Sequence, residues 1–113
     1  KNFTPKKFND KNLTWQQIQN EYNFDGIDYK NGYPDFSNVA KAKVSISDFS
    51  HTSRNENFAK AYEQLVNKMG KAKTDALLSS DKFTWHEAED CKTMYLVPSI
   101  IHGNIWHEGG FSK

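Results

Sequence analysis

The spacing of hydrophobic positions predicts a short helix near the N-terminus. Trp15, Ile18 and Tyr22 recur at intervals of three and four residues within the segment from Leu13 to Tyr22. These intervals place the three side chains on one face of a helix. Thr14 stands immediately before the first of them, where a threonine oxygen can cap the helix N-terminus. We therefore expect one amphipathic helix here.

A longer helix is predicted after Ser53. Glu56 follows Ser53 at the capping-box distance, and Gly70 supplies a stop signal. Between them the apolar residues recur at helical spacing, at Phe58, Tyr62, Leu65 and Met69. This is the strongest helical pattern in the chain. A second, short helical turn is expected over Thr74–Leu78.

Three segments have the character of β-strands. Residues 42–49 alternate Val44 and Ile46 with polar neighbours, which predicts a short half-buried strand. Residues 83–87 and 93–98 are rich in β-forming residues and flank a polar link, so they predict a hairpin. Pro98 ends its second strand, and Ser99 is placed to begin a helix.

The remaining segments predict turns and a tail. Residues 23–37 are dense in Gly, Asn, Asp and aromatic residues, and we expect them to be irregular, with Asn31-Gly32 and Pro34 as turn residues. Residues 1–12 are polar and show no apolar period, which is typical of a flexible lead or linker.

The predicted elements indicate a small α+β fold. A chain of 113 residues is long enough for one hydrophobic core. We expect a single domain over residues 13–113, with N-terminal helices and a C-terminal strand–strand–helix unit at about residues 83–110.

Composition narrows the class of partner. The formal net charge is +1, with the basic excess upstream of residue 81. Binding of nucleic acid would therefore need a local basic patch and a metal cation rather than bulk charge. Cys91 is the only cysteine, which excludes an internal disulfide. The sequence has neither a transmembrane-length apolar run nor a signal-peptide pattern, so we expect a soluble domain with no membrane partner.

Three of the four histidines fall in the C-terminal unit. His86 ends the first strand of the hairpin, and His102 and His107 lie in or just after the helix. Neutral imidazoles are common ligands of zinc and nickel, and three ligands leave positions for water and a substrate oxygen, as in a catalytic site. Spacing alone leaves two interpretations open: a shared metal ion, or ordinary surface and capping histidines that are neighbours by chance.

The same unit contains an ordered series of short motifs. They are Thr84-Trp85-His86, Thr93-Met94, Leu96-Val97-Pro98, His102, and His107 followed by Gly109-Gly110. In this order they resemble the WHH-type nucleases of the HNH/endonuclease VII superfamily, found as C-terminal toxin domains of bacterial polymorphic toxins. Residues 32–37 and 40–44 also resemble the region that precedes the motif, so the resemblance covers about residues 30 to 110. It implies a ββα-metal (His-Me finger) active site with His86, His102 and His107 as metal ligands.

One position departs from the family pattern, because Glu87 stands where a second histidine is expected. The resemblance implies that His86 binds the metal and that Glu87 is the general base, although a carboxylate is a weaker base than imidazole unless its surroundings help. The alternative makes His86 the base and Glu87 a ligand or bystander. Successive strand residues point to opposite faces, so both reach one site only if the strand end is twisted or bulged.

The resemblance also implies an activity. The chain would be a metal-dependent endonuclease toxin that hydrolyses phosphodiester bonds, with DNA as the substrate and RNA as the alternative. Zinc is the first choice of divalent metal for three imidazoles, with nickel, cobalt, magnesium or manganese as alternatives. Lys41, Lys43 and Arg54 are weak candidates for contacts with the phosphate backbone, because a solvated charged face is the better explanation for each of them singly.

The expected biological setting is a longer protein. The chain begins at Lys1, and we expect it to be part of a longer secreted toxin that acts in the cytoplasm of a target cell. Its producer would need a cognate immunity protein. A hypothesis of a different class is a non-catalytic, metal-stabilised binding module, in which the histidines are structural and Glu87 is dispensable.

Overall fold

Helices and short strands alternate along the chain. The computed structural model describes residues 3–80 and 82–108, with side chains in the last helix described as far as residue 105. In chain order the described elements are α1 (Trp15–Tyr22), β1 (Tyr29–Lys30), β2 (Tyr33–Pro34), β3 (Ala42–Ser45), α2 (Arg54–Met69), α3 (Lys71–Ser79), β4 (Phe83–Glu87), β5 (Thr93–Pro98) and α4 (Ser99–Glu108). The fold is therefore a small mixed α+β domain, as predicted.

The main sheet has three antiparallel strands in the order β3-β5-β4. Strand β5 is central, and its Tyr95 lies opposite Lys43 of β3 on one side and His86 of β4 on the other. Residues that are cross-strand partners share a face of the sheet. The register therefore places Lys43 and His86 on the same face.

Each face of this sheet is covered by a separate hydrophobic cluster, because the side chains of β5 alternate between them. Val97 packs in the first cluster, with residues of α1, α4 and the loops between α1 and β3: Ile18, Phe24, Phe36, Val39, Ile100, Ile101 and Ile105. Met94 and Leu96 pack in the second, with residues of β3, α2 and β4: Val44, Ile46, Ala61, Leu65 and Trp85. The sheet thus lies between α4 and α1 on one side and α2 on the other.

The two capped helices form where the sequence predicts them. Thr14 accepts a hydrogen bond from the backbone N–H of Gln17, whose side chain in turn accepts from the Thr14 backbone, a complete capping box. Ser53 accepts from the backbone N–H of Glu56 at the start of α2. Gly70, with φ +94°, ends α2. Local sequence determines these helix ends.

The buried stripe of α2 differs from the predicted one. Its buried residues are Asn57, Ala61 and Leu65, at intervals of four, whereas Phe58 and Met69 are only partly buried. The predicted face was therefore displaced by about one residue. As a result, a polar side chain lies in the buried part of the helix.

Three predicted segments need correction. Residues 23–37 are not wholly irregular, since β1 and β2 pair around Asn31 and Gly32, which have φ of 55° and 84° and so suit a two-residue hairpin turn. Strand β3 ends at Ser45 rather than at residue 49, because Asp48 takes φ of 52° and leaves the extended conformation. Helix α3 is longer than the predicted turn.

The N-terminal segment contacts the last helix. Asn104 of α4 accepts a hydrogen bond from the Lys7 backbone N–H at 3.3 Å and donates to the Lys7 carbonyl at 2.9 Å. The buried Asn9 side chain donates to the carbonyl of Pro5 and accepts from the backbone N–H of Leu13. The described part of residues 1–12 thus lies against the domain, and its role as a lead or linker stays a prediction.

Candidate active site

The C-terminal strand–strand–helix unit brings two of the predicted ligands together. Helix α4 starts directly after β5, and the Thr84 and Ser99 hydroxyls, 2.7 Å apart, link β4 to the first residue of α4. One turn further along α4, His102 faces β4. Its Nε2 lies 3.2 Å from Nδ1 of His86. The hairpin and the helix therefore present two imidazole nitrogens to each other.

Both imidazoles are held in neutral form by their surroundings. Burial, followed by the nearby His102 and Arg54, lowers the pKa of His86 to about 4. Burial and then Arg54 lower the pKa of His102 as well. A neutral imidazole keeps a nitrogen lone pair free for a cation. At neutral pH both rings are thus in the state that a metal ligand requires.

Phe36 supports both rings from the same side. It is 1% exposed, and its ring centroid lies 4.7 Å from that of His86 in an edge arrangement and 5.2 Å from that of His102. Such contacts are favourable between aromatic rings and limit ring rotation. Phe36 therefore helps to fix the separation of the two nitrogens.

The separation of the histidines fits a shared cation. Two nitrogens bound tetrahedrally to one zinc at about 2.0–2.1 Å are roughly 3.3 Å apart. The observed separation of 3.2 Å between Nδ1 of His86 and Nε2 of His102 is close to that value. In the absence of metal, the same distance fits a hydrogen bond in which one ring donates to the other. The residues present therefore suit a zinc-type ion.

The third predicted ligand lies outside the described side chains. His107 belongs to the backbone range of α4, but the side chains after residue 105 are not among those described. Within the described part of the chain, no three His, Cys, Asp or Glu side chains are grouped so that they could hold one metal ion. The described pair brings together two of the three predicted ligands, and the metal-binding roles of His86, His102 and His107 stay predictions.

Glu87 faces the other side of the sheet. The pairing of β4 with β5 runs in continuous register to the Glu87–Met94 pair, so Glu87 alternates with His86 and points towards α2. Its Oε2 accepts a hydrogen bond from Nδ2 of Asn57 at 3.1 Å, and its Oε1 lies 3.8 Å from Nε of Arg54. Glu87 is thus anchored at the N-terminal end of α2, on the face of the sheet opposite to His86. The described pairing of β4 with β5 has no bulge there that would bring the two side chains to one face.

The three candidate phosphate contacts lie in two places. Arg54 is the first residue of α2; its side chain is 71% exposed, and its charge lowers the pKa of both His86 and His102. Its side chain therefore contacts Glu87 and acts electrostatically on both histidines. Lys43 is exposed on the histidine face of the sheet, two strands from His86, and Lys41 is exposed just before β3.

A cavity of about 210 Å3 opens beside His86. Its wall includes Tyr95, Asp35 and Lys30, and the last two form an ion pair at 3.0 Å. Hydrogen bonds from Ser37, followed by the effect of Lys30, lower the pKa of Asp35 to about 2. His86 therefore lines a cavity whose wall also contains an ion pair.

The arrangement combines the parts that hydrolysis of a phosphodiester needs. A neutral imidazole pair can bind a cation, an anchored carboxylate can accept a proton, and an exposed guanidinium can bind phosphate. The histidine pair lies between β4 and α4, and the carboxylate and guanidinium lie beside each other at the N-terminus of α2, with Glu87 on the opposite face of β4.

Comparison with protein families identifies the chain. Residues 26–109 match the family described as the DNase/tRNase domain of colicin-like bacteriocins. The chain belongs to this family. It is a nuclease domain of the kind found in bacteriocin toxins, and its substrate is a nucleic acid.

The match to this bacteriocin nuclease family runs from before β1 to the end of α4, so it includes both histidines of the pair, Glu87 and Arg54. No curated protein and no solved structure matches the chain at a significant level. Among the described residues, the nuclease domain has no helix that is both long and apolar enough to cross a bilayer.

Two residues of the site escaped the sequence analysis. Asn57 interrupts the apolar positions of α2 at a spacing of four from Ala61 and Leu65, and a polar residue on a buried stripe is a signal that it has a specific partner. Phe36 lies in the segment that resembles the family upstream of the motif, but no local pattern links it to the distant histidines.

Proposed function

We propose that this bacteriocin nuclease domain is a metal-dependent endonuclease of the WHH/HNH, ββα-metal type. His86, His102 and His107 would bind one divalent cation, with zinc as the first choice. The observation that supports this most directly is the 3.2 Å separation of Nδ1 of His86 and Nε2 of His102 across a β-hairpin and the following helix.

Each residue has a distinct proposed role. When bound, the cation would stabilise negative charge that develops on the phosphate during hydrolysis. Glu87 would accept the proton of the attacking water, since its carboxylate lies beside Arg54 and is held by Asn57 at the end of β4. Arg54 would exchange its 3.8 Å contact with Glu87 for a substrate phosphate.

DNA is the substrate we propose, with tRNA as a second candidate because the family description includes both DNase and tRNase domains. The same chemistry serves both, and the choice depends on groove shape and contacts with the 2′-hydroxyl. Membership of a bacteriocin family supports a setting in which the domain is part of a longer secreted toxin. It would act in the cytoplasm of the target cell, and an immunity protein would protect the producer.

The direct test is a cleavage assay. The purified chain is incubated with supercoiled plasmid and, separately, with tRNA, in a series of zinc, nickel, cobalt, magnesium and manganese. We expect a metal-dependent conversion of plasmid to nicked and linear forms that a chelator abolishes. Cleavage of tRNA alone would favour the second candidate, and no cleavage of either with any metal would contradict the proposal.

Glu87→Gln tests the proposed base. This change removes the proton acceptor, so we expect the cleavage rate to fall about a hundredfold to ten-thousandfold, with metal stoichiometry unchanged. Glu63→Gln is the matched control, since it makes the same charge change at an exposed residue of α2 away from this cavity and should cleave normally. Cleavage by Glu87→Gln at the wild-type rate would remove Glu87 from the mechanism.

A further inference from the structure

We propose that Asn57 is a positioning residue that holds the Glu87 carboxylate in its reactive orientation. The inference rests on the proposed role of Glu87 as base and adds a residue that the resemblance does not include. Asn57 lies in the first turn of α2 and is 1% exposed. It is buried beside the second hydrophobic cluster, where an unpaired amide would be costly.

The hydrogen bonds of Asn57 fix the orientation of its amide group. Its Oδ1 accepts from the Ser50 backbone N–H at 2.8 Å, while its Nδ2 donates to the Ser50 carbonyl at 2.8 Å and to Oε2 of Glu87 at 3.1 Å. A flipped amide would direct its oxygen at a carbonyl and a carboxylate and its NH2 group at an N–H, so only one orientation satisfies every partner.

The anchor of Asn57 is itself rigid. Ser50 belongs to the loop that leads into α2, and its hydroxyl accepts hydrogen bonds from the backbone N–H groups of Thr52 and Ser53. Ser53 then caps α2. Glu87 is therefore connected through Asn57 to the backbone of Ser50, in the loop that leads into the capped helix α2.

The two partners of Glu87 differ in mobility. Arg54 is mostly exposed and contacts Glu87 at 3.8 Å, longer than a hydrogen bond, whereas Asn57 is buried and makes a hydrogen bond. When a phosphate attracts Arg54, Asn57 is the partner that stays. The geometry of the carboxylate during the reaction then depends on Asn57.

The first measurement compares Asn57→Ala with two controls in α2. We expect kcat for plasmid cleavage to fall about 10- to 100-fold, since small displacements of a reacting group have effects of that size, with KM and zinc affinity within about twofold of the wild type. Asn67→Ala makes the same change at an exposed site, and Ala61→Gly weakens the same buried stripe without contacting Glu87. Both should retain kcat.

The second measurement is a double-mutant cycle. In the Glu87→Gln background, Asn57→Ala should cause no further loss of kcat, because the group that it positions is already gone. Equal losses in both backgrounds would mean a purely structural role and would overturn the inference. So would a folded Asn57→Ala variant with wild-type kcat.

A third measurement needs no Asn57 variant to fold. The side-chain amide protons of Asn57, observed by NMR in the metal-free protein, should shift in Glu87→Gln and stay unchanged in Glu89→Gln. No shift in Glu87→Gln would overturn the contact. If Glu87→Gln is inactive while folded Asn57 variants are fully active, only the positioning role of Asn57 is wrong. If Glu87→Gln is fully active, Glu87 is not the base, and the positioning role of Asn57 is wrong as well.

Discussion

His86 and Asp35 line the same cavity, but their surroundings favour opposite charge states. Burial lowers the pKa of His86 to about 4, so its ring is neutral at physiological pH. Hydrogen bonds from Ser37 and the ion pair with Lys30 lower the pKa of Asp35 to about 2, so its carboxylate is ionised. The same cavity therefore contains a neutral nitrogen donor and an Asp35–Lys30 ion pair.

The ionised carboxylate of Asp35 should stabilise the fold, and protonation at acidic pH should remove this stabilisation. Its pKa in the folded chain is below the ordinary value of 3.8, so its contribution is fully present above about pH 4 and is lost as the pH falls through about 2. Because the carboxylate is partly solvated, we expect Asp35→Asn to lower the free energy of unfolding by about 1 kcal/mol at pH 7. Urea unfolding of the wild type and of Asp35→Asn between pH 7 and 2 measures this difference in unfolding free energy.

The difference in unfolding free energy between the wild type and Asp35→Asn should disappear towards pH 2, where Asp35 is itself protonated. Asp25→Asn, at an exposed residue, is the control and should show no such pH-dependent difference. A difference that stays constant from pH 7 to pH 2 would show that Asp35 stabilises the fold by something other than its charge.

At the scale of elements, the site depends on the junction between β4 and α4. Each of these elements contributes one histidine, and the Thr84–Ser99 hydroxyl contact joins them at 2.7 Å. Ser99 is 2% exposed. Loss of its hydroxyl partner would leave a buried polar group unsatisfied and would loosen the angle between the hairpin and the helix.

Thr84→Val should therefore weaken both folding and metal binding. The change keeps the shape of the side chain but removes the hydroxyl, and we expect a loss of about 1–3 kcal/mol in unfolding free energy together with a lower zinc affinity. Calorimetric titration and thermal melting measure the two effects. Thr93→Val, which removes an exposed contact with Asp90, is the control; an equal fall in zinc affinity there would contradict the role of the β4–α4 junction.

Local signals predicted the elements that depend on local contacts. Thr14 and Ser53 indicated the starts of α1 and α2, and the β-forming runs indicated β4 and β5. Helix caps and strand patterns depend on residues that are neighbours in the sequence. The pairing of β3 with β5 was not predicted. This pairing joins segments about fifty residues apart in the sequence, and no short sequence pattern indicates which distant strand will be the partner.

For the candidate site as well, some features could be predicted from the sequence and others could not. The family resemblance assigned His86 and His102 to one site, and their rings do lie side by side, while their role as metal ligands stays a prediction. The sequence did not indicate that Glu87 would face α2, because that depends on which helix covers each face of the sheet. Nor did it reveal Phe36, whose contact with both rings depends on the path of the chain between α1 and β3.

At the scale of the whole molecule, the candidate site includes residues from both faces of the sheet. The histidines belong to the face covered by α4, and Glu87, Asn57 and Arg54 belong to the face covered by α2. Arg54 links the two faces electrostatically, because its charge lowers the pKa of both histidines and its Nε lies 3.8 Å from Oε1 of Glu87. An event that fixes α4 against β4 therefore stabilises one whole layer of the fold.

Zinc should raise the stability of the domain through this junction. A ligand that binds only the folded state adds about 2.7 kcal/mol at a hundred times its Kd, roughly a 10 °C or larger increase in Tm for a chain of this size. His102→Ala should lose most of this increase, because one of the two described ligands is gone. His51→Ala, at an exposed loop residue, should keep it. Thermal melting with zinc and with a chelator decides the matter: an equal Tm increase in the wild type and in His102→Ala would place the bound zinc elsewhere and remove the shared-cation interpretation of the pair.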